Sequence, residues 1–229
     1  MRPVPFLRRL TRWGARLLLL ALAGLVILQR SYCVRVVRLR FRNPGSTAFM
    51  RREDGGGVDY RWVPYGRIST TLKQAVIAAE DGNFLSHHGF DWQALREAYD
   101  RNRRQGELIR GGSTISQQLA KNLFLSPRRS LLRKAQEAVI TAMLELLLDK
   151  RRILELYLNV IEWGDGIYGA EAASRHYYGI PAADLDQYRA ATLAAMIPSP
   201  VYYDRHRRTS FLERRIETIQ RWLPVTPVP

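Results

Sequence analysis

At 229 residues the chain is long enough to bury a real core, and the roughly 185 residues after its N-terminal segment suit one domain of ordinary size, which argues against a two-domain layout. Its net charge of +15, from 36 lysines and arginines against 21 aspartates and glutamates, first points to nucleic acid. The distribution excludes that partner. Residues 1–42 hold ten arginines and no acidic residue, which leaves 26 basic and 21 acidic side chains, a net +5, for residues 43–229. The excess charge describes a membrane anchor better than a nucleic-acid face.

The chain begins with a basic tail over residues 1–12. Leu17–Leu28 is a run of twelve apolar or glycine residues, shorter than the ~20 a helical span requires, so Trp13–Val34 is the stretch expected to cross a membrane. Arg16 and Arg30 would snorkel at its ends, with Trp13 and Tyr32 near the interfaces. Arg2, Arg8, Arg9, Arg12 and Arg16 precede the run, which by the positive-inside rule keeps the N-terminus in the cytoplasm and puts the rest of the chain outside, on the periplasmic or outer face. Ala21-Leu22-Ala23 has the small-x-small pattern of a signal-peptide cleavage site, but the apolar run continues past it to Leu28, which favours an uncleaved anchor. Cys33 is the single cysteine, so no intramolecular disulfide is available. His87, His88, His176 and His206 lack the HExxH spacing of a zinc helix, and no tightly bound cofactor is expected.

Residues 35–67 follow as a juxtamembrane linker and loop-rich stretch. Arg35–Arg40 alternates valine or leucine with arginine, the pattern of a short strand or an extended linker, and Asn43-Pro44-Gly45-Ser46 and Glu53-Asp54-Gly55-Gly56-Gly57 are breaker clusters. A mainly α-helical domain is predicted over residues 68–223, with a short tail at 224–229. Leu72, Val76 and Ala79 repeat at helix spacing behind the caps Ser69 and Thr70. Further helices fit Trp92–Arg104, Ser113–Leu123, Leu131–Leu148, Arg151–Val160, Tyr168–Tyr178, Leu185–Ile197 and Ser210–Trp222. Within Leu131–Leu148, Leu132, Ala135, Val139, Ala142, Met143 and Leu146 share one face. No run of alternating strands interrupts these helices.

The chemistry concentrates in two places. Glu80 follows Val76 by four and Ile77 by three, so its carboxylate lies on the inward face of its helix, where burial is costly without a partner or a task. A structural pair with Lys73 or a nearby arginine is the competing explanation. Asp81 suits either a ligand or the backbone of the turn at Gly82-Asn83, and His87 either organises this loop or is a satisfied structural histidine. Gly111-Gly112-Ser113 then opens a helix that Ser113 or Thr114 would cap, with backbone N–H groups free for an anion. Gln117, Gln118, Lys121 and Asn122 follow, and Gln117 and Gln118 share a helix side with Lys121. Arg129 reads as an anion contact, whereas Arg133 is divided between that role and an ordinary surface pair with Glu137. A carboxylate beside a cationic, hydrogen-bonding cluster suits a transfer reaction with an anionic leaving group.

Four ordered motifs carry a resemblance: the Glu80-Asp81-x-x-Phe84-x-x-His87-x-Gly89 run, RGGSTISQQLAKN at 110–122, RKAQE at 133–137 and KRRILELYLNVIEWGDGIYG at 150–169. Over residues 60–200 or so the chain resembles the family 51 peptidoglycan glycosyltransferases. It is most similar to the monofunctional, membrane-anchored biosynthetic transglycosylases, because it contains no Ser-x-x-Lys or Lys-Thr-Gly of a penicillin-binding domain. One segment departs from the pattern: Tyr188-Arg189-Ala190-Ala191-Thr192 stands where relatives usually have Glu-Ala-Ala before the Leu-Ala-Ala run, which questions the local packing.

The resemblance implies a lysozyme-like, two-lobed helical domain behind a single N-terminal transmembrane helix. Its implied substrate is lipid II, joined with inversion into β-1,4 glycan with release of undecaprenyl pyrophosphate. By motif position Glu80 would be the general base on the acceptor 4-hydroxyl. Lys121 and Arg129 would hold the donor pyrophosphate, Ser113, Gln117, Gln118 and Asn122 would line the donor site with Asp81 nearby, and Glu137 would assist. Mg2+ or Mn2+ would accompany the phosphates, although no ligand set can be named. The implied partners are lipid II, the growing glycan strand and membrane lipids of the bacterial inner membrane, and association with other cell-wall synthases is left open. Asn159 and the glycines of Trp163-Gly164-Asp165-Gly166 read as fold-making, and Tyr168 and Glu171 as packing or capping residues. Two other classes compete: a lysozyme-like lytic transglycosylase, which would cleave glycan and have no need of the Lys121/Arg129 cluster, and a membrane-anchored scaffold, which would have no need of Glu80.

Overall fold

The computed structural model describes residues 5–47, 49–50, 57–105, 112–126, 128, 130–207 and 209–229. It divides into two units, Met1–Arg42 and Asn43–Pro229. The first is one helix, α1 (Pro5–Leu39), and its stretch Trp13–Leu39, 27 residues, is long and apolar enough to cross a membrane. At 1.5 Å per residue that stretch measures about 40 Å, more than the ~30 Å hydrocarbon core. Leu17–Leu20 and Ile27 are exposed along it. The alternating stretch from Arg35 is helical as far as Leu39, which corrects the strand or extended reading. A helix already formed upstream gains one hydrogen bond per added residue, whereas an isolated strand has no partner to bond.

The second unit is mainly α-helical. Its helices are α2 (Thr70–Glu80), α3 (Trp92–Gln105), α4 (Ile115–Phe124), α5 (Leu131–Leu147), α6 (Lys150–Val160), α7 (Ala170–Tyr178), α8 (Gln187–Met196), α9 (Pro200–Arg205) and α10 (Ser210–Trp222). A small sheet, which the sequence pattern did not reveal, joins β1 (Asp59–Tyr60), β2 (Glu162–Gly164) and β3 (Ile167–Tyr168) in the order β1-β3-β2. β1 runs parallel to β3 and β2 antiparallel to it. Strands of two or three residues are too short for alternation to register.

Two groups of helices pack. α8 lies against α2 and α10, and its buried Ala190, Ala191, Ala194 and Ala195 are small enough for both neighbours to approach closely. The unusual Tyr188 is exposed and Arg189 half-buried, its guanidinium 5.6 Å from the centre of the Tyr178 ring, and Asp186 caps the start of α8 by accepting from Arg189 N at 2.8 Å. The second group is α4 against α5 and α6. α6 is buried nearly all round, and Asn159 on it clamps the incoming loop, accepting from Val63 N at 2.8 Å and donating to Val63 O at 2.9 Å. Gly169 has φ +86°, and a Cβ there would stand 2.8 Å from Asn159 O, so the chain needs glycine where β3 turns into α7.

One face is reversed relative to its apolar pattern. The inward residues of α5 are Glu137, Ile140, Thr141 and Leu144, while Leu132 and Leu146 are 85% and 83% exposed. Both sets have helical periodicity. Ile140 and Leu144 supply the apolar contact, and Glu137 is buried with them because cations of α4 and α5 surround it.

Candidate active site

Glu80 is the last residue of α2, placed where the first helical group meets the second. Its side chain is 11% exposed. Oε2 accepts from Gln118 Nε2 of α4 at 2.8 Å, and Oε1 accepts from Arg215 Nη2 of α10 at 2.9 Å. Arg215 also donates to Ala79 O at 3.2 Å, which ties it to the end of α2. Burial pushes the Glu80 carboxyl above the usual glutamate range, against the Gln118 hydrogen bond and the Arg215 charge, which favour the ionised form. The competing partner Lys73 is elsewhere, with its ammonium 4.0 Å from the centre of the Tyr65 ring.

Asp81 terminates α2 and is engaged within the protein. One carboxylate oxygen accepts from Ile115 N at 2.9 Å and the other pairs with His87 Nε2 at 2.8 Å. Gly89 N donates to His87 Nδ1 at 3.1 Å, so a neutral His87 carries its proton on Nε2, facing Asp81. Thr114 completes the junction as the N-cap of α4. It forms a capping box with Gln117 and donates to Gly89 O at 2.7 Å. The start of α4, read in the sequence as open to an anion, is therefore closed from within by Asp81 and Thr114. Its function here is to lock α2, the following loop and α4 in register.

One turn beyond Gln118, Lys121 faces α5. A cavity of 270 Å³ is lined there by Ser113, Gln117, Gln118, Lys121, Arg133, Lys134 and Glu137, with Phe49 at its edge. Glu137 pairs with Arg133 Nη1 at 3.0 Å and with Lys134 Nζ, and its side chain is only 4% exposed. The Arg133–Glu137 pair is thus part of a cavity wall. Burial lowers the Lys121 ammonium below the usual lysine range, and Arg133 and Lys134 push the same way while Glu137 and Glu80 oppose them. Buried Arg133 Nε has no hydrogen-bond partner among the described residues. Asn122 does not line this cavity, and Arg129 lies outside the described residues.

Ser113 is exposed and stands on the wall of this cavity and of two neighbours. One, of 210 Å³, contains Glu80; the other, of 340 Å³, has an apolar wall that includes Phe90, Trp92, Leu95 and Tyr99. The carboxylate and the cations thus flank one cleft. The sequence reading missed Arg215, Lys134 and Tyr157, whose hydroxyl donates to Gln118 Oε1 at 2.9 Å. Lys134 was within reach from its i,i+3 spacing to Glu137. Tyr157 stands out as a polar tip among the leucines of α6, and a buried tyrosine hydroxyl needs a partner. Arg215, 135 residues from Glu80, had no local signal.

Among the described residues no group of three or more His, Cys, Asp or Glu is arranged to hold a metal ion, and Glu80 and Glu137 already have cationic partners.

A helical domain with a buried carboxylate beside a cation-lined cavity defines a class that the comparisons with known proteins specify. Residues 48–223 match the transglycosylase family model, and the chain belongs to that family. The biosynthetic peptidoglycan transglycosylase of Laribacter hongkongensis is 49% identical over 226 residues, covering 95% of this chain and 99% of the relative. That of Bordetella pertussis is 54% identical over 206 residues, 85% of each, and that of an Azoarcus species 50% identical over 231 residues, 96% of this chain and all of the relative.

Proposed function

We propose that this chain polymerises peptidoglycan glycan strands from lipid II during cell-wall synthesis, with Glu80 as general base and the Lys121 cavity as the pyrophosphate site. The observation that carries the reading is the arrangement of α4, which presents Gln118 to a buried carboxylate and, one turn on, Lys121 to a cavity lined by two further cations. An acceptor 4-hydroxyl in the Glu80 hollow would give its proton to the carboxylate while its oxygen attacks the donor anomeric carbon. The bond from that carbon to the pyrophosphate breaks, and the electron pair leaves with the phosphate oxygen. Attack opposite the leaving group inverts the centre. Lys121, Arg133 and, by motif position, Arg129 would hold the growing negative charge, and Glu137 keeps Arg133 and Lys134 in place. A divalent ion, if it takes part, would arrive on the pyrophosphate oxygens as part of the substrate.

Residues Trp13–Leu39 would anchor the chain in the bacterial inner membrane, with the arginine-rich N-terminus in the cytoplasm and the domain on the outer face. The exposed row Leu131, Leu132, Val139 and Leu146 gives that domain an apolar surface compatible with a bilayer. The deciding experiment incubates the detergent-solubilised full chain with labelled lipid II. Polymer that lysozyme digests is the expected product; cleavage of cell-wall sacculi without polymer from lipid II would overturn the reading. A protein starting at residue 43 should retain activity in detergent and polymerise more slowly on liposomes, because it loses the local concentration that a tether supplies.

A further inference from the structure

We propose that Tyr157 is a positioning residue that, through Gln118, holds Glu80 ready to accept a proton, with Arg215 as the opposing arm. The inference rests on the assignment of Glu80 as the base. It places both ends of the Gln118 amide inside the protein, between Tyr157 and Glu80, whereas the motif position alone put Gln118 on the donor.

The order of donors fixes the geometry. An ionised carboxylate only accepts, so the end of Gln118 that meets Glu80 at 2.8 Å is its NH2 group. The amide oxygen must then face the other way, where Tyr157 Oη stands 2.9 Å from it and donates. Tyr157 is fully buried on α6, and burial raises its hydroxyl well above the usual tyrosine range, so it remains a donor across the working pH range. Donors aligned in one direction, Tyr157 to Gln118 to Glu80, polarise one another and strengthen the last bond. Without the hydroxyl, the amide oxygen has no donor on that side, and nothing on α6 opposes rotation of the amide away from the carboxylate.

The charged neighbours of Glu80 act on it in both directions. Asp81, beside it on the chain, disfavours the ionised form; Arg215 from α10 and Lys121 from α4 favour it, and Tyr157 from α6 is neutral. The Gln118 bond is the largest of the influences that oppose burial. Two arms from different helices therefore restrain the two carboxylate oxygens, one neutral and backed by the fully buried Tyr157, the other cationic and from α10.

The test is the pH dependence of turnover of labelled lipid II by the detergent-solubilised full chain. Tyr157→Phe keeps the ring and removes the donor. Its acidic limb should move to higher pH by roughly 0.5–1 unit, with the rate above the limb nearer to wild type than the rate on it. Arg215→Gln should move the limb the same way. If thermal melts show that Tyr157→Phe does not fold, Gln118→Met removes the last bond of the same chain and should move the limb the same way and further. A uniformly reduced rate with an unmoved acidic limb would overturn the inference, because a purely structural tyrosine would behave so. Glu80→Gln separates the two levels: an inactive, folded Glu80→Gln protein beside an unmoved Tyr157→Phe limb rejects only the brace. An active Glu80→Gln protein rejects the base and the brace together.

Discussion

The two ends of α4 operate under opposite electrostatic rules. At Gln118 the Glu80 carboxylate is buried, held by one neutral donor and one arginine, and burial wins, so Glu80 is harder to ionise than an ordinary glutamate. At Lys121, one turn away, three cations share a cavity with one carboxylate, and burial makes the lysine easier to deprotonate. A raised acid is a better proton acceptor when ionised, and a surplus of cations suits an anion that arrives with its own charge. One short helix thus separates the site that would take up a proton from the site that would receive a departing phosphate.

The sharpest way to break this comparison is to neutralise each end. Glu80→Gln should cost ~10²–10⁴-fold in polymerisation with the fold intact, as checked by turnover of lipid II and by a melting curve. Lys121→Ala should cost ~10²–10³-fold, expressed in donor use more than in acceptor use. Comparable losses in donor and acceptor kinetics would mean that the two ends do not divide the reaction as described.

The pH profile sharpens the same contrast. As the proposed base Glu80 would have to be ionised, so activity should fall as pH drops through its raised pKa, earlier than for an ordinary glutamate. As the proposed pyrophosphate contact Lys121 would have to be protonated, so activity should fall as pH rises through its lowered pKa, earlier than for an ordinary lysine. Lys121→Arg should carry the alkaline limb to higher pH and leave the acidic limb in place, since a guanidinium does not deprotonate in this range.

Stability effects are smaller. Glu137→Gln removes the anion from a cluster of cations and should destabilise by about 1–3 kcal/mol, less than for a fully buried pair because Lys134 is half exposed. The midpoint of denaturant unfolding measures it. Thr114→Ala should cost about 1 kcal/mol through the lost cap of α4, and because that cap sits at the Glu80 end it should also slow turnover modestly.

Local reading served α4 well because its information is local. Thr114, Gln117, Gln118 and Lys121 lie within eight positions, and helix spacing alone brings the last three to one side. The same logic failed on α5, where two faces were periodic and the more apolar one is exposed. A helix buries the face its neighbours can satisfy. Here that face includes Glu137, whose partners Arg133 and Lys134 are adjacent in sequence but whose burial depends on α4.

The sequence by itself determined the apolar N-terminal helix, the helical character of the domain and the gathering of amides and a lysine on α4, because each follows from spacing within a few turns of chain. Only the tertiary structure decided what surrounds Glu80. Tyr157 and Arg215 come from 77 and 135 residues away, through the packing of α6 on α4 and of α10 on α2. The ionisation of a buried group depends on the atoms within a few ångströms of it, and folding alone selects which those are.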